Sequence, residues 1–462
     1  MPFNATLRSV NMLTASLALA VALLFLSRSV RGPIWAASLA WIICISPIVL
    51  GVIDYRYLDY RDPRLGLVIS MAMLSFASGA GLELFYRGPV TRKPVPASEA
   101  EREFKSLLPI ARFCWFIGMV GGACLILDFI VNGRGSLMNL SDLRDSFVGK
   151  ESASALARTA SVMTWACLFS YIFALLFRRE LGPGQTLFFA LPVTGFLMGA
   201  VLAAGRQAAL QIILVTVLGQ ILWKIRTNVQ KNKQGGSAFV VVISGLMVTY
   251  MGYVAIARND NRVSDVKSEV LARLFDFSMS HTFETVIGYL GSGVRETLIE
   301  ALVYFSSSIA LFSRFLQTDL YGISMGAMNF PFFYRQIEFA TGINVADMYQ
   351  LRVSALDAQQ VIGVGWTTAI ANLIMDFGFL GAAVFLFVQG FFSSLAWRAA
   401  VTGGTFIDCV LAILLTIGAI YLPLIPAFSD NNIFLLTVFC LIIKWFDIRR
   451  KNTITQSNTV VV

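Results

Sequence analysis

The chain has 462 residues, 57% of them hydrophobic and only 14% charged, whereas a soluble domain averages roughly 45–50% apolar and about 25% charged residues. The apolar excess comes in blocks, which excludes a soluble globular enzyme, a disordered chain and a nucleic-acid binder. The net charge of +9 arises from 36 basic and 27 acidic residues, and the basic ones sit mostly in short loops between apolar blocks, the pattern of an orientation signal.

Apolar blocks run at 10–27, 33–53, 65–85, 109–131, 159–177, 186–204, 207–223, 238–257, 368–392, 406–427 and 431–446. Each approaches the ~20 residues that a spanning helix needs, and inside a bilayer each must be helical because only a helix pairs its own backbone without water. The expected fold is an all-α polytopic membrane protein of about eleven spans (ten to twelve). Three regions follow: an N-terminal bundle over 1–257, a large loop region over 258–367, and C-terminal spans with a short tail over 368–462. The first block reads as a retained span, because no small-residue cleavage site follows it and a second span comes at once. The six cysteines all fall inside apolar stretches, where a thiol acts as a small hydrophobe, so no disulfide framework is legible.

Four short basic clusters orient the chain: 86–108 with Arg87, Arg92, Lys93, Arg102 and Lys105; Arg178–Arg179; Lys224 to Lys233; and Arg449 to Lys451. Placing all four in the cytoplasm gives a consistent alternation from the third span onward, with a cytoplasmic C-terminus and, for eleven spans, an outer N-terminus. Arg56, Arg61 and Arg64 in the segment 54–64 oppose it, offset by Asp54, Asp59 and Asp62. The large outer regions are then 132–158 and 258–367. The second is too long for an ordinary connection, which marks it as functional. Its apolar stretch Leu298–Phe315 carries Glu300, Ser306–Ser308 and Arg314, and is expected to be a re-entrant or surface-lying helix packed on the bundle.

No phosphate-binding Gly loop with Lys, no HExxH and no Gly-x-Ser-x-Gly occurs, and a single His, His281, cannot anchor a His-based metal site. No metal site and no cofactor are expected. What remains is arginine. Only nine of the 36 basic residues are Lys; region 258–367 holds Arg258, Arg262, Arg273, Arg295, Arg314, Arg335 and Arg352 against Lys267 alone, with eleven acids among them. Guanidinium grips a phosphate or carboxylate bidentately, where an ammonium is a point charge. Some of these arginines have acidic neighbours in sequence, as Arg258 has Asp260 and Arg295 has Glu296, and pairing is the plainer reading for any one of them.

Arg206 stands apart. It lies in Leu202–Leu210 between two apolar blocks with almost no loop, where a charge is expensive, and it is read as facing substrate. Gly322–Arg335 combines a flexible stretch, the aromatic run Phe330-Pro-Phe-Phe-Tyr334 and Arg335: aromatic faces stack on sugars, or anchor at a membrane interface. Tyr304, Tyr321 and Tyr334 offer hydroxyls to a sugar. Asp376-Phe-Gly378 sits inside a span, where a carboxylate is functional by default, though neutralising a neighbouring Arg is an equal role for it. His281 is a candidate base, histidine being the side chain most often used for general acid–base work.

The Gly205-Arg206 turn, the Arg-rich outer loop, Phe330–Arg335, and Thr367-Thr368 followed by Asp376–Gly378 together resemble the Wzy-type O-antigen and oligosaccharide repeat-unit polymerases of bacterial inner membranes. Arg352 to Gly363 also matches an Arg-x10-Gly spacing described for that family, while Arg134, Arg144 and Arg158 start no second copy. The resemblance implies a glycosyltransferase of the C type with its active site facing the periplasm. A growing glycan on undecaprenyl diphosphate would pass to the non-reducing end of a newly flipped lipid-linked repeat unit, contributing to lipopolysaccharide or a related surface polysaccharide. The implied partners are that lipid-linked oligosaccharide, membrane lipids and a chain-length regulator, with no nucleotide sugar and no nucleic acid. Arg206, Arg335, Arg352 and His281 are the expected catalytic residues; Arg258, Arg262, Arg314, the three tyrosines and Asp376 are expected to bind substrate. Two other expectations stand beside it: an O-antigen ligase that transfers glycan to lipid A-core, which His281 keeps open, and a flippase for lipid-linked sugar, which the concentration of charge in one face's loops disfavours.

Overall fold

The computed structural model describes residues 3–27, 32–56, 62–88, 93–131, 154–202, 207–227, 277–318, 320–322, 324–342 and 368–459. In chain order they form α1 (Phe3–Leu26), α2 (Pro33–Val49), β1 (Ile53–Tyr55), α3 (Arg64–Arg87), α4 (Ala97–Val131), α5 (Ala155–Met163), α6 (Trp165–Leu176), α7 (Arg178–Ala190), α8 (Pro192–Leu202), α9 (Gln207–Thr227), β2 (Phe277–Met279), α10 (His281–Gly288), α11 (Ser292–Phe315), α12 (Pro331–Thr341), α13 (Ala369–Val401), α14 (Phe406–Tyr421) and α15 (Asn431–Thr459). Six helical stretches among the described residues are long and apolar enough to cross a membrane: Arg64–Arg87, Ala97–Asp128, Ala155–Leu176, Gln207–Thr227, Ala369–Val401 and Asn431–Arg449. The chain is a helical protein with membrane-spanning character.

Ten of the apolar blocks coincide with helices; the block 238–257 lies outside the described residues. Three departures from the expectation have local causes. The block 186–204 is split between α7 and α8, because Pro192 cannot continue a helix and instead occupies the first position of the next. Helix α4 reaches back to Ala97, so half of the basic segment 86–108 is helix rather than loop. The fold also includes a two-stranded antiparallel ribbon in which Ile53 pairs with Met279, Asp54 with Ser278 and Tyr55 with Phe277. Strands of three residues are too short for an alternating pattern to register in the sequence.

The chain divides into two compact units. The first comprises Met1–Pro89, Asn259–Leu395 and Leu415–Ser429. Within it α1 crosses α3 at Gly66, where a Cβ would come within 2.6 Å of the Met12 carbonyl carbon, and the Ser16 hydroxyl reaches the Gly66 carbonyl at 2.9 Å. Helices α3 and α13 cross more tightly still. A Cβ on Gly79 would lie 1.9 Å from the Phe387 carbonyl oxygen, and one on Gly390 2.1 Å from that of Phe76; only glycine allows backbones so close. Helix α11 packs on α2 with Ser306, Ser307 and Ser308 all buried. The serines that make this stretch a poor lipid-facing span are turned inward, and Ser306 bonds the Tyr55 hydroxyl at 2.8 Å.

The second unit comprises Val90–Arg258, Ala396–Leu414 and Asp430–Val462. Here α4 packs on α5, α6 and α8, with Gly122 and Gly195 back to back. Arg226, 5% exposed, pairs with Glu103 at 2.5 Å and donates to the Gly404 carbonyl at 2.9 Å, while the second Glu103 oxygen accepts from the Phe406 amide. Asp408, on the first turn of α14, takes the Thr405 amide in a capping box and pairs with Lys444.

In the second unit the Lys93 amide also bonds the Val401 carbonyl and the Val95 amide that of Arg226, so the stretch before α4 is tied to the ends of α13 and α9.

Candidate functional site

In the first unit, α13 is broken. Gly378 adopts φ 69° and ψ −179° inside it, a backbone shape that glycine accepts without strain. The turn before the break leaves carbonyls in need of donors, and the segment 320–330 supplies them. The amides of Gly322, Ser324 and Met325 bond the carbonyls of Ile374, Met375 and Asp376 at 3.0, 3.3 and 3.1 Å. The approach is close because both chains carry glycine at the meeting point: a Cβ on Gly322 would sit 3.6 Å from the Gly378 nitrogen.

Asp376, 2% exposed, completes the join. Its Oδ1 accepts from the Met328 amide at 3.0 Å; its Oδ2 accepts from the Asn329 amide at 3.0 Å and from Asn329 Nδ2 at 2.6 Å. A buried carboxylate costs heavily unless it is hydrogen-bonded, and three donors from one loop meet that need. The carboxylate therefore holds the loop. Met325, between the two sets of bonds, has φ 46°, an uncommon conformation for a residue with a side chain and one that clusters at functional loops. Its carbonyl accepts from the Tyr334 hydroxyl. Burial, then the Asp376 carboxylate, pushes the Tyr334 phenol above its ordinary range.

Aromatic rings enclose the break. Phe330 stacks on Phe428 with centroids 6.0 Å apart and leans on Phe385, Phe377 stacks on Phe385, and Tyr321 tilts against Phe379. Phe330 is thus committed to the protein itself, whereas Phe333 is exposed.

The two strings singled out in the sequence, Gly322–Arg335 and Asp376–Gly378, form one site. Arg335 follows Tyr334 on α12; its side chain is outside the described set. Tyr321 donates its hydroxyl to the Leu316 carbonyl at 2.8 Å. Tyr304 lies half-buried on α11 with its ring edge-on to Phe305, and Arg314 is half-buried in the last turn of that helix. His281 opens α10 beyond the ribbon and is exposed; its helix is capped by Ser280. Arg206, Arg258, Arg262 and Arg352 lie outside the described residues, as do Gly363 and Thr367. Among the described residues no three His, Cys, Asp or Glu side chains gather as metal ligands.

Sequence reasoning missed three residues. Asn329, inside a quoted string, gives Asp376 two of its three bonds. Glu83 is a fully buried carboxylate in a spanning helix, bonded by Ser394 at 2.9 Å, and the rule that singled out Asp376 applies to it equally. Asp430 gathers two glutamines, for which no sequence spacing gives a signal. Comparison with protein-family models, curated proteins and solved structures gives no match.

Proposed function

We propose that the chain polymerises lipid-linked oligosaccharide repeat units at the outer face of a bacterial inner membrane. The observation that carries the reading is the closure of Gly322–Arg335 onto the Asp376–Gly378 break. The loop that leads into the aromatic run and Arg335 on α12 is thereby held against a span of membrane length, and a site that must grip a lipid diphosphate needs its first contacts on such a support. In the reaction, the bond from the donor's anomeric carbon to the diphosphate oxygen breaks. The acceptor hydroxyl oxygen takes that carbon, its proton passes to a base, and undecaprenyl diphosphate departs. Guanidinium donors that bind the departing diphosphate better than the ground state accelerate the step; Arg335 is the residue proposed for this, and Arg206 is the other arginine that the sequence singles out.

The test is genetic and chemical. Deletion of the gene leaves single repeat units on the lipid carrier, and Arg206→Ala or Arg335→Ala abolishes long-chain glycan while the protein still inserts. Normal chain-length ladders from both variants would overturn the reading. A second reading, ligation of finished glycan to lipid A-core, draws on the exposure of His281. It predicts that His281→Ala leaves polymer on the carrier intact but unattached to lipid A-core.

A further inference from the structure

The second unit holds a polar cluster that the proposed chemistry does not use. Gln207 and Gln211 lie one turn apart on the same face of α9. Their Nε2 groups donate to Asp430 Oδ2 at 3.2 and 2.9 Å. The other Asp430 oxygen caps α15 by accepting from the amides of Asn432 and Ile433 at 2.8 and 3.3 Å. The Asn432 side-chain oxygen accepts from the Thr164 hydroxyl at 2.7 Å. One acceptor is left over: Gln211 Oε1 is buried and has no hydrogen-bond partner among the described residues, in a side chain only 1% exposed. The carboxylate fixes which way each glutamine amide faces, so this oxygen cannot exchange places with its nitrogen. Gln207, Asp430 and Asn432 are each half-buried, so the cluster is not wholly sealed from the surface.

A buried carbonyl oxygen without a donor is costly and calls for an occupant. The surroundings select its chemistry. Asp430 repels a phosphate. A cation would want oxygens, but the amides turn N–H groups toward the carboxylate. A ligand with closely spaced hydroxyls satisfies both sides: it donates to Gln211 Oε1 and accepts from the amide hydrogens not spent on Asp430. We propose that Gln207, Gln211, Asp430, Asn432 and Thr164 form a subsite for one uncharged sugar ring. The chemistry of this subsite stands on its own donors and acceptors; that the ring belongs to a lipid-linked glycan rests on the proposed function.

The full chain in lipid nanodiscs is probed by saturation-transfer NMR with methyl glycosides of hexoses, 6-deoxyhexoses and N-acetylhexosamines. An octyl glycoside of each responding sugar serves as the membrane-anchored form. The wild type transfers saturation to at least one sugar, more strongly in the anchored form if the natural ligand is lipid-linked. Gln211→Leu and Gln207→Ala each weaken binding roughly three- to tenfold, the effect of one lost neutral hydrogen bond. Gln207 is less buried than Gln211, so its variant keeps the test open if Gln211→Leu fails to fold. Transfer to no sugar in the panel, or equal transfer in folded variants, overturns the subsite. Sugar binding that persists in a protein making no polymer on any carrier counts against the proposed function alone.

Discussion

Replacing Asp376 by Asn removes one of the two oxygens that hold the 322–330 loop to the broken span. The carboxylate takes the Met328 amide on one oxygen and the Asn329 amide and side chain on the other. An Asn side chain has one oxygen, so one of the two backbone amides then faces an NH2 group with no acceptor. A buried donor left unpaired costs about 1–3 kcal/mol, which favours local opening of the loop by about 5- to 150-fold. Hydrogen exchange on the full chain in nanodiscs reads this directly. The amides of Gly322, Ser324, Met325, Met328 and Asn329 exchange faster by that factor in Asp376→Asn, while those in the middle of α3 keep their protection. Glycan chain length shortens in parallel if the loop carries the chemistry. Unchanged protection at Met328 and Asn329 would refute the argument that the carboxylate is what holds the loop.

Other expectations follow from single contacts. Gly79→Val forces a side chain into the Phe387 carbonyl; overpacking of this kind costs about 1–3 kcal/mol, so the thermal midpoint falls, whereas the same change at Gly81, which has open space, leaves it within a degree or two. Asp430→Ala removes the cap of α15 and costs about 0.5–2 kcal/mol, read as a lower thermal midpoint; a midpoint equal to that of the wild type would argue against the cap. Asp54→Cys with Ser278→Cys forms a disulfide on mild oxidation, because paired strand residues sit about 4.5–5.5 Å apart, within disulfide reach. Maleimide labelling that stays undiminished after oxidation would contradict the ribbon. Arg226→Ala leaves the half-buried Glu103 beside the Phe406 amide without its cation, costing at most about 3–5 kcal/mol, and the measurable consequence is less folded protein on detergent extraction.

Helix positions were legible because the apolar blocks are long and lipid-facing backbone has no alternative to the helix. The inward-turned serines of α11 were legible as a misfit to lipid, though not as partners of Tyr55. Gly378 and Asp376 were visible as oddities inside a span, and Gly322–Arg335 as a loop with unusual chemistry. That they form one structure was not, because three amide-to-carbonyl bonds and a carboxylate clamp join residues about fifty positions apart, and backbone donors leave no trace in residue identity. The same holds for the two glutamines and Asp430, more than two hundred positions apart.

Sequence alone thus determined that this protein lives in a membrane and which stretches of it become helix, since hydropathy and backbone satisfaction are local properties of the chain. Tertiary structure alone decided which polar groups are spent on holding the protein together and which remain for a ligand. A donor is spent only when an acceptor arrives from elsewhere, and that arrival is fixed by packing.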